Sequence, residues 1–371
     1  MIICCGEALI DMLQVSVRGI GDVFTLYPGG SPYNTAITIG KLGVPVKFLG
    51  RISDDSFGEI LVNRLKKNSV GDELVKRSGQ NTTLAFVKHE KTREAQYIFY
   101  SEGTADRSLQ LDDLPAKLPF DTKCILFGSI AMTMEPIATT LESFILREGS
   151  RKNTDQMDGA PVISFDPNIR PFMIKDKAAY TSRFEKWLAA STIAKISSED
   201  FKFIYPRLDP EKALQKVLTM GPWLVICTLG PKGAVALLRR NDGSVIKAAA
   251  PGVSVKVTDT VGAGDTFHGA FLAWLEMKGK MSRSALASLS ENDLYNALLF
   301  ANKAAAINCS RPGVAPPGRK EIDGLKVPES KTKAPAAKAA PVKKTAPGKT
   351  APAAKAAPAK TAPAKKAAKK K

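Results

Sequence analysis

Long apolar runs are missing from this 371-residue sequence. None approaches the roughly 20 residues that a membrane-spanning helix needs, so we expect no membrane association. The first residues, "MIICCGEALIDM", lack a basic segment and a small-residue cleavage site, and we expect a β-strand there rather than a signal peptide. A Gly-x4-Gly-Lys-Ser/Thr loop is also missing, which excludes the P-loop nucleotide-binding proteins.

Histidine and cysteine are scarce as well. Two histidines, His89 and His268, argue against a histidine-rich metal site. The five cysteines are an odd number without Cys-x-x-Cys spacing, and the adjacent Cys4 and Cys5 would point to opposite faces of a strand. We therefore expect buried free thiols, as in a cytoplasmic protein, and neither a disulfide framework nor a zinc site.

Acidic residues are missing from one stretch, residues 331–371, which holds 13 lysines and consists mainly of Lys, Ala, Pro and Thr. The net charge of +18 therefore falls to +5 for residues 1–330. Six prolines prevent a continuous helix there, so this composition predicts a disordered basic tail over 326–371, after a folded domain over 1–325. The tail resembles the tails of linker histones. It would bind nucleic acid or another polyanion without reading sequence, or it is only a solubilising extension.

The body alternates short apolar runs with segments of helical periodicity. Strands are predicted within 123–130, 161–167, 191–198 and 223–230, with helices within 135–149, 178–190 and 209–221. This alternation predicts an α/β fold of three layers, α/β/α, around a mostly parallel central sheet. Residues 12–28 and 82–100 instead alternate apolar with polar side chains, which predicts a small antiparallel sheet that acts as a lid.

The stretch "DTVGAGDTFHGAF", residues 259–271, carries the clearest chemistry. Apolar residues recur at helical spacing after Asp265, so a helix begins at the Gly-Ala-Gly turn. Gly262 and Gly264 allow close approach of a ligand, and the free N–H groups of a helix N-terminus bind anions. A carboxylate beside such a site suits a base that takes a proton from a hydroxyl group accepting phosphate. A simple helix cap is the alternative.

The full spacing of this stretch resembles the C-terminal signature of the ribokinase/PfkB family of sugar kinases. The resemblance implies a ribokinase-like fold, with Asp265 as the catalytic base and the backbone of Gly262, Ala263 and Gly264 as the anion hole. It covers about residues 2–320.

A second stretch, "PGGSPYNTAITIGKLG" at 28–43, resembles the N-terminal signature of the same family. Gly29 and Gly30 let the backbone approach a ligand, and Asn34 offers both a donor and an acceptor to a hydroxyl group. The resemblance makes these residues, together with Asp11 and Asp265, the sugar-binding set. A glycine turn before a helix and a cap at a strand end are the alternatives.

The segment "SFDPNIRP", residues 164–171, places Asn168 and Arg170 at the carboxyl end of a predicted strand. Arg170 there suits a phosphate group, and a surface arginine in a turn is the alternative. The segment resembles the Asp-Pro-Asn-x-Arg of the family's fructokinase branch. Asn168 is accordingly expected at the nucleotide and Arg170 in catalysis.

The segment "CTLGPKGA", residues 227–234, resembles the family's ATP-binding turn. The nucleotide-contacting candidates implied by the resemblance are Thr228, Gly230, Lys232, Gly233 and, on a helix beside adenine, Asn302.

The resemblance also implies two kinds of metal ion. Asp259, Val261 and Gly313 correspond to the family's monovalent-cation site, which implies K⁺. In "KISSED", residues 195–200, the family has Asn-x-x-Glu acting on Mg²⁺ through water. Ser197 and Asp200 stand at those positions here, so the separate roles of Glu199 and Asp200 stay open, as does a plain helix start.

Several stretches, among them "GGSPYNTAI" and "SEGTADRSL", look specifically like bacterial fructokinases. The resemblance implies ATP-dependent phosphorylation of D-fructose at its 6-hydroxyl. It also implies a homodimer formed through the lid. Ribose or 2-keto-3-deoxygluconate is the alternative sugar, and a polyanion-binding protein acting through its tail is the alternative of another class.

Overall fold

A computed structural model describes residues 1–88, 96–150 and 159–326. Its centre is a nine-stranded sheet in the order β13-β12-β11-β10-β9-β8-β1-β4-β5. Eight of the nine strands run in the same direction, and β12 runs antiparallel to both of its neighbours, β11 and β13. The strands are β1 Ile2–Cys5, β4 Val46–Ser53, β5 Val70–Ser78, β8 Cys124–Gly128, β9 Val162–Asp166, β10 Ile193–Ser197, β11 Leu224–Thr228, β12 Ala234–Arg239 and β13 Val245–Ala250.

Helices cover both faces of this sheet, which confirms the predicted three-layer α/β/α class. The helices are α1 Ser31–Lys41, α2 Ser56–Lys67, α3 Ile137–Gly149, α4 Lys177–Ala190, α5 Ser198–Ile204, α6 Pro210–Thr219, α7 Ala263–Met277, α8 Arg283–Ala287, α9 Glu291–Cys309 and α10 Arg319–Gly324. All four strands and all three helices predicted in the body are confirmed.

Strand β1 shows how one sheet builds two cores. Ile2 and Cys4 belong to the apolar cluster that contains α1, α7 and α9, whereas Ile3 and Cys5 belong to the cluster that contains α3 and α4. Successive side chains of a strand point to opposite faces, and a strand buried on both faces is apolar throughout. All five cysteines are free thiols, as predicted, and four of them are buried.

The two alternating regions form a separate four-stranded sheet in the order β3-β2-β6-β7. Its strands are β2 Leu9–Val17, β3 Gly21–Gly29, β6 Leu84–Lys88 and β7 Gln96–Tyr100. Each region forms an antiparallel hairpin, as predicted, but β2 and β6 join the hairpins in parallel. We call this sheet the lid. Strand β2 follows the turn after β1 directly, so the lid lies at the carboxyl edge of the central sheet.

Part of the predicted lid, residues 89–95 with His89, lies outside the described residues, and so does the basic tail from 327 onward. Within the described ranges, no helix is long and apolar enough to cross a membrane.

Candidate active site

A cavity of about 320 Å³ opens between the lid and the carboxyl edge of the central sheet. Ligands of parallel α/β sheets bind at this edge. Ten residues singled out in the sequence line the cavity: Asp11, Gly30, Asn34, Asn168, Arg170, Val261, Gly262, Ala263, Gly264 and Asp265. The sequence motifs, which are spread over more than 250 positions, therefore meet at one place.

Helix α7 begins at the floor of this cavity. Its first residue follows Gly262, whose φ of 71° is left-handed, and no side chain caps the helix there. A Cβ at Gly262 would lie 2.7 Å from Cγ2 of Val314, so the position needs glycine for both its backbone angle and its space. The N–H group of Ala263 donates to Thr260 O at 3.2 Å, whereas no side chain in the described ranges takes the N–H groups of Gly264 and Asp265. An anion is the ligand that such N-terminal N–H groups favour.

Asp265 lies in the first turn of α7 and is 6% exposed. Its Oδ1 accepts a hydrogen bond from Ser31 Oγ at 2.6 Å, and its Oδ2 accepts one from Asn34 Nδ2 at 2.9 Å. Burial raises the pKa of Asp265, and these two hydrogen bonds oppose that rise. The carboxylate is thus held by α1 on both oxygens while it faces the cavity.

Asp11 approaches the same cavity from β2 in the lid. Burial, reinforced by the charge of Asp265, raises the pKa of Asp11 to about 7, and Arg170 opposes the rise. A Cβ at Gly29 would lie only 2.2 Å from Asp11 Oδ2, so Gly29 makes room for this carboxylate. Gly29 itself does not line the cavity, and its effect there is to leave space for the Asp11 carboxylate.

Glu7 and Ser31 are among the cavity-lining residues that the sequence prediction did not single out. Glu7 is buried, and its carboxylate accepts the backbone N–H of Ser31 at 3.0 Å and that of Ala131 at 3.2 Å. Burial raises its pKa to about 7. The available signal for Glu7 was an acid that follows a fully apolar strand after a single glycine. No such signal existed for Ser31, because serine is common at helix starts, where its side chain caps the helix.

A buried charge network underlies the first turn of α7, and the sequence prediction missed it too. Lys195 Nζ lies 3.0 Å from Asp166 Oδ2, and both side chains are 4% exposed. His268 Nδ1 lies 3.4 Å from the same Asp166 oxygen, and its Nε2 lies 2.8 Å from Ser164 Oγ. A Cβ at Gly264 would lie 3.2 Å from Lys195 Nζ, so the ammonium group is next to the Gly-Ala-Gly turn.

The turn that carries Asn168 and Arg170 follows β9. Asn168 has a φ of 36°, and its Oδ1 accepts a hydrogen bond from Arg170 Nη1 at 2.7 Å. Asp200, at the start of α5, accepts the backbone N–H of Ile169 at 2.8 Å and caps its own helix through Ser197. Asp200 therefore holds this turn, whereas Glu199 is exposed. Neither lines the cavity, so their predicted link to Mg²⁺ stays a prediction.

Asn168, predicted at the nucleotide, lines the cavity, whereas the other predicted nucleotide residues gather around the end of β13, outside the cavity wall. Gly233 has a φ of 97°, and a Cβ there would lie 2.1 Å from Ala250 O. Asn302 Nδ2 donates to Ala250 O at 3.1 Å and to Pro251 O at 3.0 Å, so its amide fixes the backbone of this turn. Thr228 and Gly230 precede Gly233 in the same turn, where Lys232 is exposed.

The three residues predicted at a monovalent cation also meet. Asp259 accepts the backbone N–H of Val261 at 3.0 Å and that of Gly313 at 2.9 Å. A Cβ at Gly313 would lie 2.6 Å from the ring of Tyr27, so the lid packs on this loop. In the described ranges, no three His, Cys, Asp or Glu side chains cluster as a metal site would require. Both oxygens of Asp259 accept backbone N–H groups, and the Val261 carbonyl accepts from Asn308 Nδ2 at 2.8 Å, so the cation at these residues stays a prediction.

Comparison with known proteins agrees with this geometry. The family model of the pfkB family carbohydrate kinases matches residues 1–321. A fructokinase of Rhizobium leguminosarum bv. trifolii is 39% identical over 296 residues, which cover 80% of this chain and 86% of that protein.

Two solved structures share the fold. One is a fructokinase from Xylella fastidiosa with bound ATP, with a TM-score of 0.76 and 25% identity over 86% of this chain and 96% of that one. The other is a fructokinase from Vibrio cholerae O395 with fructose, ADP and calcium ion bound, with a TM-score of 0.71 and 24% identity over 87% and 97%. The expected ribokinase-like family is therefore confirmed: the chain belongs to the pfkB family and is a carbohydrate kinase.

Proposed function

We propose that this protein phosphorylates D-fructose at its 6-hydroxyl with ATP. The observation that carries the proposal is the buried Asp265 carboxylate, which faces the cavity beside the uncapped N-terminus of α7. The preference for fructose is supported by the names of the Rhizobium and Xylella proteins. Ribose and 2-keto-3-deoxygluconate remain the alternative acceptors.

In the proposed reaction, the sugar lies under the lid against Asp11, Gly30 and Asn34. Asp265 takes the proton of the attacking hydroxyl, and a positioned base of this kind contributes about 10²–10⁴-fold. The N–H groups of Gly262, Ala263 and Gly264, with Arg170, stabilise charge on the phosphoryl group during its in-line transfer. A closed lid keeps water from accepting the phosphoryl group instead.

ATP is expected along the turn that contains Thr228, Gly230 and Gly233, with its γ-phosphate pointing toward α7. Three positions suit this proposal: Lys232 is exposed at the turn, Asn168 lines the cavity, and Asn302 holds the turn in shape. Bound Mg²⁺ would neutralise phosphate charge, and Glu199 and Asp200 are the candidates near it. K⁺ is proposed at Asp259, Val261 and Gly313, whose contacts already close one loop.

The variant Asp265→Asn tests the assignment of the base. It keeps the size of the side chain and can still accept from Ser31, but it cannot take a proton. We expect sugar affinity within a few-fold of the parent and a loss of at least about 10²-fold in kcat. ADP release, measured with Mg-ATP and K⁺ on fructose, ribose and 2-keto-3-deoxygluconate in parallel, reports both rate and specificity. A variant with undiminished turnover would show that Asp265 is not the base.

A second function of another class is supported by the charge of the tail. The 13 lysines of residues 331–371 have no acidic neighbours in that segment, which is the composition of a segment that binds polyanions by counterion release. We propose a chain in two parts, a kinase domain over 1–325 and a nucleic-acid-binding tail over 326–371.

We also propose that the enzyme acts in the cytoplasm and forms a homodimer through its lid. On the lid face opposite Asp11, Phe24, Leu26, Ile98 and Tyr100 are all more than 40% exposed. An apolar face of this kind favours a protein partner. Sedimentation velocity at micromolar concentration measures the oligomeric state, and a monomer would contradict the dimer.

A further inference from the structure

Ser31 has a hydrogen-bonding arrangement that local helix chemistry does not explain. It opens α1, yet its hydroxyl caps no N–H group of that helix. The hydroxyl instead donates to Asp265 Oδ1 across 234 positions of sequence. Ser31 is 8% exposed and Asp265 is 6% exposed, so water does not replace this contact easily.

Glu7 holds Ser31 in turn. Its Oε1 accepts the backbone N–H of Ser31, and its Oε2 accepts that of Ala131, in the short 3-10 turn Ser129–Thr133 that follows β8. Glu7 is 1% exposed. One buried carboxylate thus fixes the start of α1 to the central sheet, and α1 carries both donors that hold Asp265.

We propose that Ser31 is a positioning residue for Asp265, and that Glu7 acts by fixing Ser31. This inference depends on the proposed role of Asp265 as the base. The Ser31 and Asn34 hydrogen bonds together fix the plane of the carboxylate. A carboxylate oxygen can accept more than one hydrogen bond, so either oxygen can still receive the proton of the sugar hydroxyl.

The Ser31 hydroxyl also affects when Asp265 can act as a base. A hydrogen bond to the charged form of a carboxyl favours that form. Besides Ser31, Asp265 interacts with Asp11 from β2, Asp166 from β9 and Lys195 from β10. Burial and the charge of Asp166 raise the pKa of Asp265, and Lys195 lowers it. Asp265 in turn raises the pKa of Asp11. Loss of the hydroxyl would leave burial and Asp166 less opposed, so the pKa of Asp265 would rise.

The test compares Ser31→Ala with Ser31→Thr, which keeps a hydroxyl at the same position. Rates on the best sugar are measured from pH 5 to 9 with Mg-ATP and K⁺. Removing a hydrogen bond to a charged group costs about ten- to a hundredfold. We expect that loss in kcat for Ser31→Ala, with the KM for the sugar changed by less than about threefold. The acid limb of kcat/KM should move up by about one pH unit, and Ser31→Thr should restore it.

A double-mutant cycle with Glu7→Gln tests the second part of the proposal. If Glu7 acts through Ser31, the double variant should be no slower than Ser31→Ala alone, because both changes remove one interaction. Multiplied effects would show that Glu7 acts independently of Ser31. Thermal melting of each variant identifies one that fails to fold, and the remaining variant then decides the matter through its pH profile.

The outcomes separate the inference from the proposed function. Parent-like kcat and pH profile in Ser31→Ala, with Asp265→Asn inactive, would overturn the role of Ser31 and leave the base in place. Full activity of Asp265→Asn would overturn both.

Discussion

Lys195 is a charged residue whose burial is costly. An ammonium group at 4% exposure needs a partner, and Asp166 supplies one at 3.0 Å. Burial alone would raise the pKa of Asp166, but the charge of Lys195, with help from His268, holds it below its usual range. Burial lowers the pKa of His268, so its imidazole stays neutral near pH 7. The network therefore places one compensated positive charge beside the Gly-Ala-Gly turn.

Removing that charge should destabilise the protein strongly. Lys195→Met leaves Asp166 buried without its cation, and breaking a buried pair in this way costs about 3–5 kcal/mol. The matched control is Lys247→Met, since Lys247 pairs with Glu211 at the surface and such a pair is worth about 0–1 kcal/mol. Urea unfolding of both variants measures the difference. Equal losses would mean that the buried pair adds nothing.

The role of a single residue could be predicted where the residue belongs to a recognisable motif. It could not be predicted where the role depends on a partner far away in the sequence. Asp265, Asn34, Asp11 and Arg170 stand in recognisable strings and do line one cavity. Lys195 lies in an apolar strand, where a lysine usually marks an exposed face. Its role exists only because Asp166, on the neighbouring strand, faces it.

Helices α1 and α7 act as one element, because the site depends on how closely they pack. Gly269 makes this possible: a Cβ there would lie 2.8 Å from Thr38 Cβ and 2.9 Å from Thr35 O, both on α1. With glycine at that position, α1 comes near enough for Ser31 and Asn34 to reach Asp265.

We therefore expect Gly269→Ala to lower both stability and rate. Overpacking of this kind costs about 1–3 kcal/mol. The added methyl group pushes α1 from α7, and a shift that lengthens both hydrogen bonds to Asp265 should reduce kcat by about tenfold or more. Gly324→Ala is the control, since Gly324 ends α10 and has no atom within 4 Å of the added Cβ. If Gly269→Ala melts at a lower temperature but keeps its kcat, the packing of α1 on α7 at this position stabilises the fold without affecting catalysis.

Strands and helices with a clear apolar pattern could be predicted from the sequence, and a strand made of residues with low strand propensity could not. Strands β8 to β11 are short, almost fully buried runs rich in apolar residues, and this pattern predicted them as strands. Strand β13 reads "VIKAAA", and alanine is a poor strand former. It is a strand because β12 offers it an antiparallel edge over six residues, a tertiary effect that no local pattern contains.

At the scale of the whole molecule, positive charge is distributed unevenly along the chain. Residues 1–330 carry a net charge of +5, while the last 41 residues carry +13. A catalytic site needs side chains held in place around a cavity, whereas binding to a polyanion needs only a dense run of cationic residues. The two activities proposed for this chain therefore make separate demands on its sequence.

Deletion of residues 331–371 should remove one activity and spare the other. We expect kcat on sugar within about twofold of the full chain, because every residue lining the cavity precedes the deletion. Binding to duplex DNA at low salt should disappear, and in the full chain it should weaken steeply between 50 and 200 mM salt. Fluorescence anisotropy measures the binding. Reduced turnover would contradict the two-part organisation, and a full chain that does not bind DNA would contradict the second function.

The hydrogen bond between Ser31 and Asp265 joins residues 234 positions apart. A ribosome adding about 5–20 residues per second makes Asp265 roughly 10–50 s after Ser31. Throughout that interval the growing chain has the start of the cavity and lacks the proposed base. Completion of the site is therefore a late event of synthesis, and under the proposed mechanism a chain released from the ribosome before Asp265 would not consume ATP at this site.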